Sequence, residues 1–358
     1  MDALTKSLRL VVNDSSKSVA ASGGTQNPEA YDAYLRGHYL IQSTNASRIS
    51  EGLDELRRAI EIDPSFGLPY ADIADALSQS IFYGLVDDRE LFGEARNAAR
   101  SAVALAKESP EAHVAAATMH QYVTFDWRAA EASYETALSL QPQSPAPYHR
   151  YADFLWTTLR LERAKEVAQM ALAADPLDGS AMHAVGITQL IAGEFARAAD
   201  AFGEWNRFHP DSRWSYVKYS LALALNGQCD AALERADKVL ELLGRAPSLL
   251  AESWLAWGYH VCDRTDRYAA SRKRFESLIE SNPASLEPGL AYYFLLEGDN
   301  ERLFALVRRL IDAESPLTMF LPIFTLGGMG WSDDNLAQRQ AVLNELLREL
   351  NFPPGDFT

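Results

Sequence analysis

The stretch MHAVGITQLIAGEFARAADAF, residues 182–202, decides the fold, because it holds two helical patterns separated by a single break at Gly193. Gly186 falls where two helices must approach, Gly193 at the turn, Ala198 against the neighbouring helix and Phe202 in the core of the resulting hairpin. Eight residues later His209-Pro210 closes the pattern, since proline forbids helical propagation past the residue before it.

The same punctuation recurs outward from this hairpin. Pro142, Pro176 and Pro210 are separated by 34 residues, twice, and Pro110 stands 32 residues before Pro142. Each of these prolines, like Pro64 after Asp63, is expected just beyond the second helix of a unit. A unit of this size holds two short helices and two turns, and it leaves an apolar face that only a neighbouring unit can cover. In the same frame stand Ala152, Ala164, Ala168 and Ala171 in the preceding unit, Ser220, Gly227, Ala232 and Ala236 in the following one, and Ala130, Tyr134 and Ala137 further back.

Beyond Pro210 the frame loosens, with Pro247 and Pro283 coming 37 and 36 residues later. A unit near Ala251 keeps Trp254, Trp257, Gly258, Ala270, Phe275 and Leu278, and a degenerate one runs from Ala284 through a turn at Gly298-Asp299 to Ile311. Between Phe66 and Pro110 the unit is about twelve residues too long. The surplus includes SIFYGLVDDREL, residues 80–91, and is expected to lengthen the first helix and the loop after it. Residues 1–26 read as an N-terminal fragment and linker, 27–316 as the repeat array, and 317–358 as a loop followed by a capping helix near Ala337–Leu350.

Composition narrows the function. Against 33 basic residues stand 49 acidic ones, a formal charge of −16, which disfavours phosphate backbones and anionic membrane surfaces and suits a partner with a basic segment. Cys229 and Cys262 lie in apolar segments, so they read as ordinary buried thiols in a reducing compartment. With no signal-peptide pattern in MDALTKSLRLVVNDSSKS and no run of eighteen apolar residues, the expected location is cytoplasmic, without membrane insertion.

The spaced Ala, Phe or Tyr and Ala before Pro, strongest over Glu111–Pro210, resembles the tetratricopeptide repeat family. The chain departs from that pattern at Thr118, where Gly or Ala is usual, and at Trp205, where Ala is usual. NPEAYDAYLRGHYL, GLDELRRAIEIDPSFGLPYADIADAL and YGLVDDRELFGEARNAARSAVAL further resemble the repeat region that follows bacterial class III adenylate cyclase domains and accompanies winged-helix transcriptional regulators. The resemblance implies an all-α, right-handed superhelix of about seven hairpins whose inner wall is built from the first helix of each unit.

Family members commonly bind peptides on that wall. Carried onto this chain, its candidate residues are Tyr122, His149, Arg150, Asp153, Trp156, His183, Trp214, Lys218 and Tyr259. The aromatic members offer rigid contact area and the charged ones fix a backbone or side chain. With only Arg150 and Lys218 basic among them, a full clamp for a peptide carboxylate is not expected.

Nothing points to catalysis. His113 and His120 share a helical face without a third ligand, and Gly327–Gly330 (GGMG) lacks the lysine and strand of a phosphate loop, reading as a flexible connection. The expectation is therefore a non-catalytic protein- or peptide-binding repeat protein in assembly or regulation, with no cofactor, no metal and no direct nucleic-acid binding. Two alternatives stand beside it: a sensor domain detached from a signalling protein, and a small-molecule-binding solenoid walled by Trp214, Trp257 and Tyr259.

Overall fold

The computed structural model describes residues 23–41, 46–82, 89–142, 145–243, 249–283, 285–286, 289–313, 315, 318, 320–331 and 335–352. All regular structure among them is helical. In chain order the helices are α1 (Pro28–Ile41), α2 (Ala46–Ile62), α3 (Gly67–Phe82), α4 (Arg89–Leu105), α5 (Pro110–Met119) and α6 (Trp127–Leu140). Then come α7 (Pro145–Thr157), α8 (Leu161–Ala174), α9 (Gly179–Ile191), α10 (Phe195–Phe208), α11 (Arg213–Leu225) and α12 (Cys229–Leu243). The last are α13 (Leu249–Val261), α14 (Thr265–Ser281), α15 (Gly289–Leu296), α16 (Asn300–Asp312) and α17 (Leu336–Glu349). The first sixteen form pairs, α1–α2 through α15–α16, so the described chain holds eight hairpins where about seven were expected. The pair α15–α16 corresponds to the degenerate unit drawn from Ala284 to Ile311, and the eight-residue α15, GLAYYFLL, is buried at every position.

Contacts divide the chain at Arg150, within α7, into one unit of residues 1–150 and another of residues 151–358. In both, the two helices of a hairpin have different characters. In the second unit α9 is buried from Ala181 and Met182 through Leu190 and Ile191, whereas α10 buries a stripe of Ala198, Ala199, Phe202 and Asn206. Helix α13 is likewise buried from Ala251 through Tyr259, while α14 buries Ser271 and Phe275. First helices are thus walled on more than one side and second helices face solvent, the division stacked hairpins require. The meeting point of each pair is close: Gly186 lies against the Phe202 ring, with no room for a β-carbon.

The turns between paired helices show the period most directly. Positive φ recurs at Phe125, Leu159, Gly193, Gly227, Asp263 and Gly298, intervals of 34, 34, 34, 36 and 35 residues. At Gly193 the turn is closed by Gly193 N–H to Leu190 O (3.0 Å) and Glu194 N–H to Gln189 O (2.9 Å). These are the two bonds of a left-handed helix C-cap, and the same pair recurs at Leu159, Gly227, Asp263 and Gly298. Phe125 differs because a π-helical turn, His120–Thr124, precedes it.

Most of the spacing prolines stand two residues past a second helix, as Pro142, Pro176 and Pro210 do, but Pro110 does not. It opens α5 at the first helical positions, where its missing N–H costs nothing, and Ser109 caps the helix by accepting from Ala112 N–H at 3.3 Å. The surplus of the second hairpin enters α3, which runs sixteen residues to Phe82. Residues 83–88, and Pro247, lie outside the described residues.

Two expectations are corrected. Cys229 and Cys262 are not thiols: they form a disulfide with Cα atoms 5.6 Å apart. The 33-residue separation is close to one period, so the two cysteines come to the same end of adjacent hairpins, one opening α12 and the other just past α13. The glycine run 327–330 is not a loose connection either. Trp257 Nε1 donates to Met329 O at 2.8 Å, the Trp331 ring lies 4.7 Å from that of Trp257, and a β-carbon on Gly330 would meet Val261 and Leu225. Arg339 of α17 is fully buried and donates to the carbonyls of Phe324 (2.9 Å) and Leu326 (3.3 Å), which fastens this segment to the final helix.

Candidate functional site

The second unit brings one charged group into an aromatic enclosure. Lys218 lies on α11, and its amine sits 5.8–5.9 Å from the ring centroids of Trp205, Trp214 and Trp254. Trp214 is one helical turn earlier on the same helix, Trp205 comes from α10 and Trp254 from α13. The amine also donates to Nε2 of His183 on α9, so the unprotonated nitrogen of that imidazole faces the lysine. His183 in turn packs on Trp205, centroids 5.4 Å apart.

Repeat geometry explains the convergence. His183, Lys218 and Trp254 are 35 and 36 residues apart, so they occupy one position in three consecutive first helices and form a column across them. Trp205 reaches the column from a second helix because Gly179 leaves it space: a β-carbon there would come within 2.9 Å of the indole nitrogen.

The electrostatics are those of an unneutralised amine. Burial pulls the Lys218 ammonium down to about 8, with the carboxylate of Asp153 on α7 acting weakly in the opposite sense. Among the described residues no carboxylate forms an ion pair with it. The three indole faces supply part of what a carboxylate would, roughly 0.5–2 kcal/mol each. Lys218, His183, Trp205 and Trp214 are each half-buried as residues, while the amine itself lies enclosed among them.

The other expected wall residues are distributed differently. Asp153 accepts from Trp156 Nε1 at 2.9 Å, and Trp156 stacks on Phe320, centroids 6.1 Å apart. Tyr259 is buried beside the Arg267 guanidinium, 5.6 Å from the ring centroid, facing α14. Trp257 is covered by Trp331, so Trp214, Trp257 and Tyr259 do not enclose a common space as a small-molecule wall would need.

In the first unit, Arg150 pairs with Asp75 of α3 at 3.3 Å, and burial with the neighbouring Arg150 charge takes the His149 imidazole down to about 3. His38 and Asp72, 34 residues apart, meet at 2.7 Å. Tyr122 is buried within the π-helical turn. His113 bonds the Lys107 carbonyl and His120 the Thr124 hydroxyl, and among the described residues no three His, Cys, Asp or Glu side chains gather as a metal site.

Tandem helical hairpins with a lysine set in a first-helix column define the class: an all-α repeat protein of the α-solenoid kind. Residues 125–185 match the tetratricopeptide repeat family. No curated protein matches the chain. Among solved structures, the human IFIT1 dimer with m7Gppp-AAAA is similar with a TM-score of 0.59 at 16% identity, covering 88% of this chain and 72% of that one. PilW, a widely conserved type IV pilus biogenesis factor, is similar with a TM-score of 0.48 at 20% identity, covering 61% and 96%. PilF of Pseudomonas aeruginosa is similar with a TM-score of 0.45 at 20% identity over the same shares.

Proposed function

We propose that this chain is a non-catalytic protein- or peptide-binding repeat protein, and that its second unit receives an acidic group of a partner segment at Lys218. The observation that carries this reading is an ammonium held among three indoles with, among the described residues, no carboxylate in an ion pair with it. An incoming carboxylate supplies the missing countercharge in a site where water is already partly excluded, and the indoles give the flanking residues a rigid apolar surface. A partner anchored this way is acidic at the contact point. The basic segment suggested by the net charge of −16 then belongs to flanking contacts with the acidic surface.

The same net charge, and the single cation at the site, argue against direct nucleic-acid binding, although the IFIT1 structure of similar fold holds a capped RNA. The resemblance of stretches within residues 27–105 to repeat regions of bacterial signalling proteins supports a regulatory role. Among the described residues no helix is long and apolar enough to cross a membrane. The Cys229–Cys262 disulfide fits an oxidising compartment better than the cytoplasm.

The test is calorimetric titration with acetylated twelve-residue peptides that differ only in one Asp or Glu against Asn or Gln, selected from a random library on the full chain. Binders should prefer the acid by about tenfold, and Lys218→Met should abolish that preference. Binders indifferent to the acid, with the lysine substitution silent, would overturn the reading.

A further inference from the structure

The surroundings of Lys218 are those of a nucleophile as well as of an anion receptor. An ordinary lysine amine is ~0.3% free base at about pH 8, whereas one brought down to about 8 is half free base there. Paired lysines on the same chain go the other way: Lys165, bonded to Glu162 and Glu194, and Lys238, bonded to Glu241, are both held above the ordinary value. Geometry adds what protonation alone does not. The imidazole nitrogen of His183 already accepts a hydrogen bond from the amine, and three indole rings lie around the nitrogen. His183 and Asp153 are the titratable groups facing it.

We propose that Lys218 is a covalent capture site for small aromatic or conjugated aldehydes, which it binds as an imine. Planar conjugated carbonyls suit the site because they stack against indole faces while presenting their carbonyl carbon to the amine. In the first step the Nζ lone pair forms a bond to the carbonyl carbon and the C=O π pair moves to oxygen. A proton leaves nitrogen through His183 Nε2 and arrives on that oxygen, giving the carbinolamine. In the second step the nitrogen lone pair forms the C=N bond, the C–O bond breaks, and the hydroxyl leaves as water with the second nitrogen proton. One aldehyde and one amine give one imine and one water, with no electron donor or acceptor. This capture requires no partner segment and goes beyond the peptide reading.

The chain has seven lysines, which makes the experiment internally controlled. The full chain is treated with benzaldehyde at about pH 7.5 with cyanoborohydride to fix the imine, and labelling is followed at each lysine by peptide mass spectrometry. Lys218 should label at least about tenfold faster than Lys165, Lys238 and Lys273, in keeping with its larger free-base fraction. Lys218→Arg, which keeps charge and length, should remove the fast phase and leave the slow ones unchanged. Labelling of Lys218 at or below the rate of the surface lysines would overturn the proposal. Because the wild-type chain is itself the readout, a variant that folds poorly does not obscure the result. Selective labelling in a chain that binds no acidic peptide would sink the peptide reading alone, and acid-selective peptide binding without selective labelling would sink this one alone.

Discussion

Replacing Lys218 by methionine separates the energetic consequences of the site from its use. Methionine is one atom shorter, unbranched and flexible, and it removes the charge. In the folded chain the amine binds its proton at about 8 instead of 10.5. Between those values the unfolded chain holds more protons than the folded one, so raising the pH through this window stabilises the fold. Below the folded value the full penalty applies, about 3 kcal/mol at ~1.4 kcal/mol per unit. At about pH 9.5 the unfolded lysine has itself begun to lose its proton, and the penalty shrinks to about 1.4 kcal/mol. The cation–π contacts exist only for the charged amine, so they offset part of this cost over the same pH range.

The prediction is therefore a difference of differences. Relative to wild type, Lys218→Met should be more favoured at about pH 7 than at about pH 9.5, by about 2 kcal/mol. Urea unfolding followed by tryptophan fluorescence reads it, because Trp205, Trp214 and Trp254 surround the substitution, and an unchanged slope would show that the same transition is compared. A stability difference that is flat across this range would refute the account of a desolvated amine, and with it the physical basis for both the receptor and the capture site.

Further outcomes follow from the repeat geometry. Gly186→Val should destabilise the second unit by about 1–3 kcal/mol, because the new side chain collides with Phe202; thermal unfolding of the variant measures it. Asp263→Gly should stabilise by roughly 0.5–1 kcal/mol, since this exposed turn residue holds a φ of 53° that glycine adopts without strain, and a higher unfolding midpoint is the readout. Reducing the Cys229–Cys262 disulfide should cost about 3–4 kcal/mol for a loop of 33 residues, and no thiol should react with a maleimide until reductant is added. His149 stays neutral in the fold down to about 3, so it withdraws stability as pH falls from its ordinary 6.5; His149→Gln should flatten that acid limb by up to ~1.4 kcal/mol per unit in urea titrations.

The hairpins were legible because their determinants are local and repeated. Gly193, Gly227 and Gly298 mark turns that a sequence can announce, and Pro142, Pro176 and Pro210 mark the stops. Leu159 and Asp263 adopt the same left-handed turn with no glycine to announce it, and the frame alone places them. The disulfide was not legible, since two cysteines 33 apart say nothing about pairing until the period sets adjacent turns side by side. In hindsight that separation, one repeat to within a residue or two, was the available signal.

The lysine enclosure divides in the same way, and the division shows where function enters a repeat array. His183, Trp214 and Lys218 were among the wall residues that the family resemblance implied, whereas Trp254 was legible only as a core residue of a looser unit. Trp205 belongs to a second helix, outside any inner-wall register, and the sequence marked it solely as a tryptophan where alanine is usual. Its placement depends on Gly179 at the start of the preceding helix, whose missing β-carbon admits the indole. Positions that obey the period are explained by stacking, which every unit must do. Trp205 breaks it, and with the space left at Gly179 it brings an aromatic face to the Lys218 amine. A departure from a repeat's usual residue, as at Trp205, is thus the sequence feature that points to this enclosure, and filling the space at Gly179 should disturb Lys218 through Trp205 without touching the lysine itself.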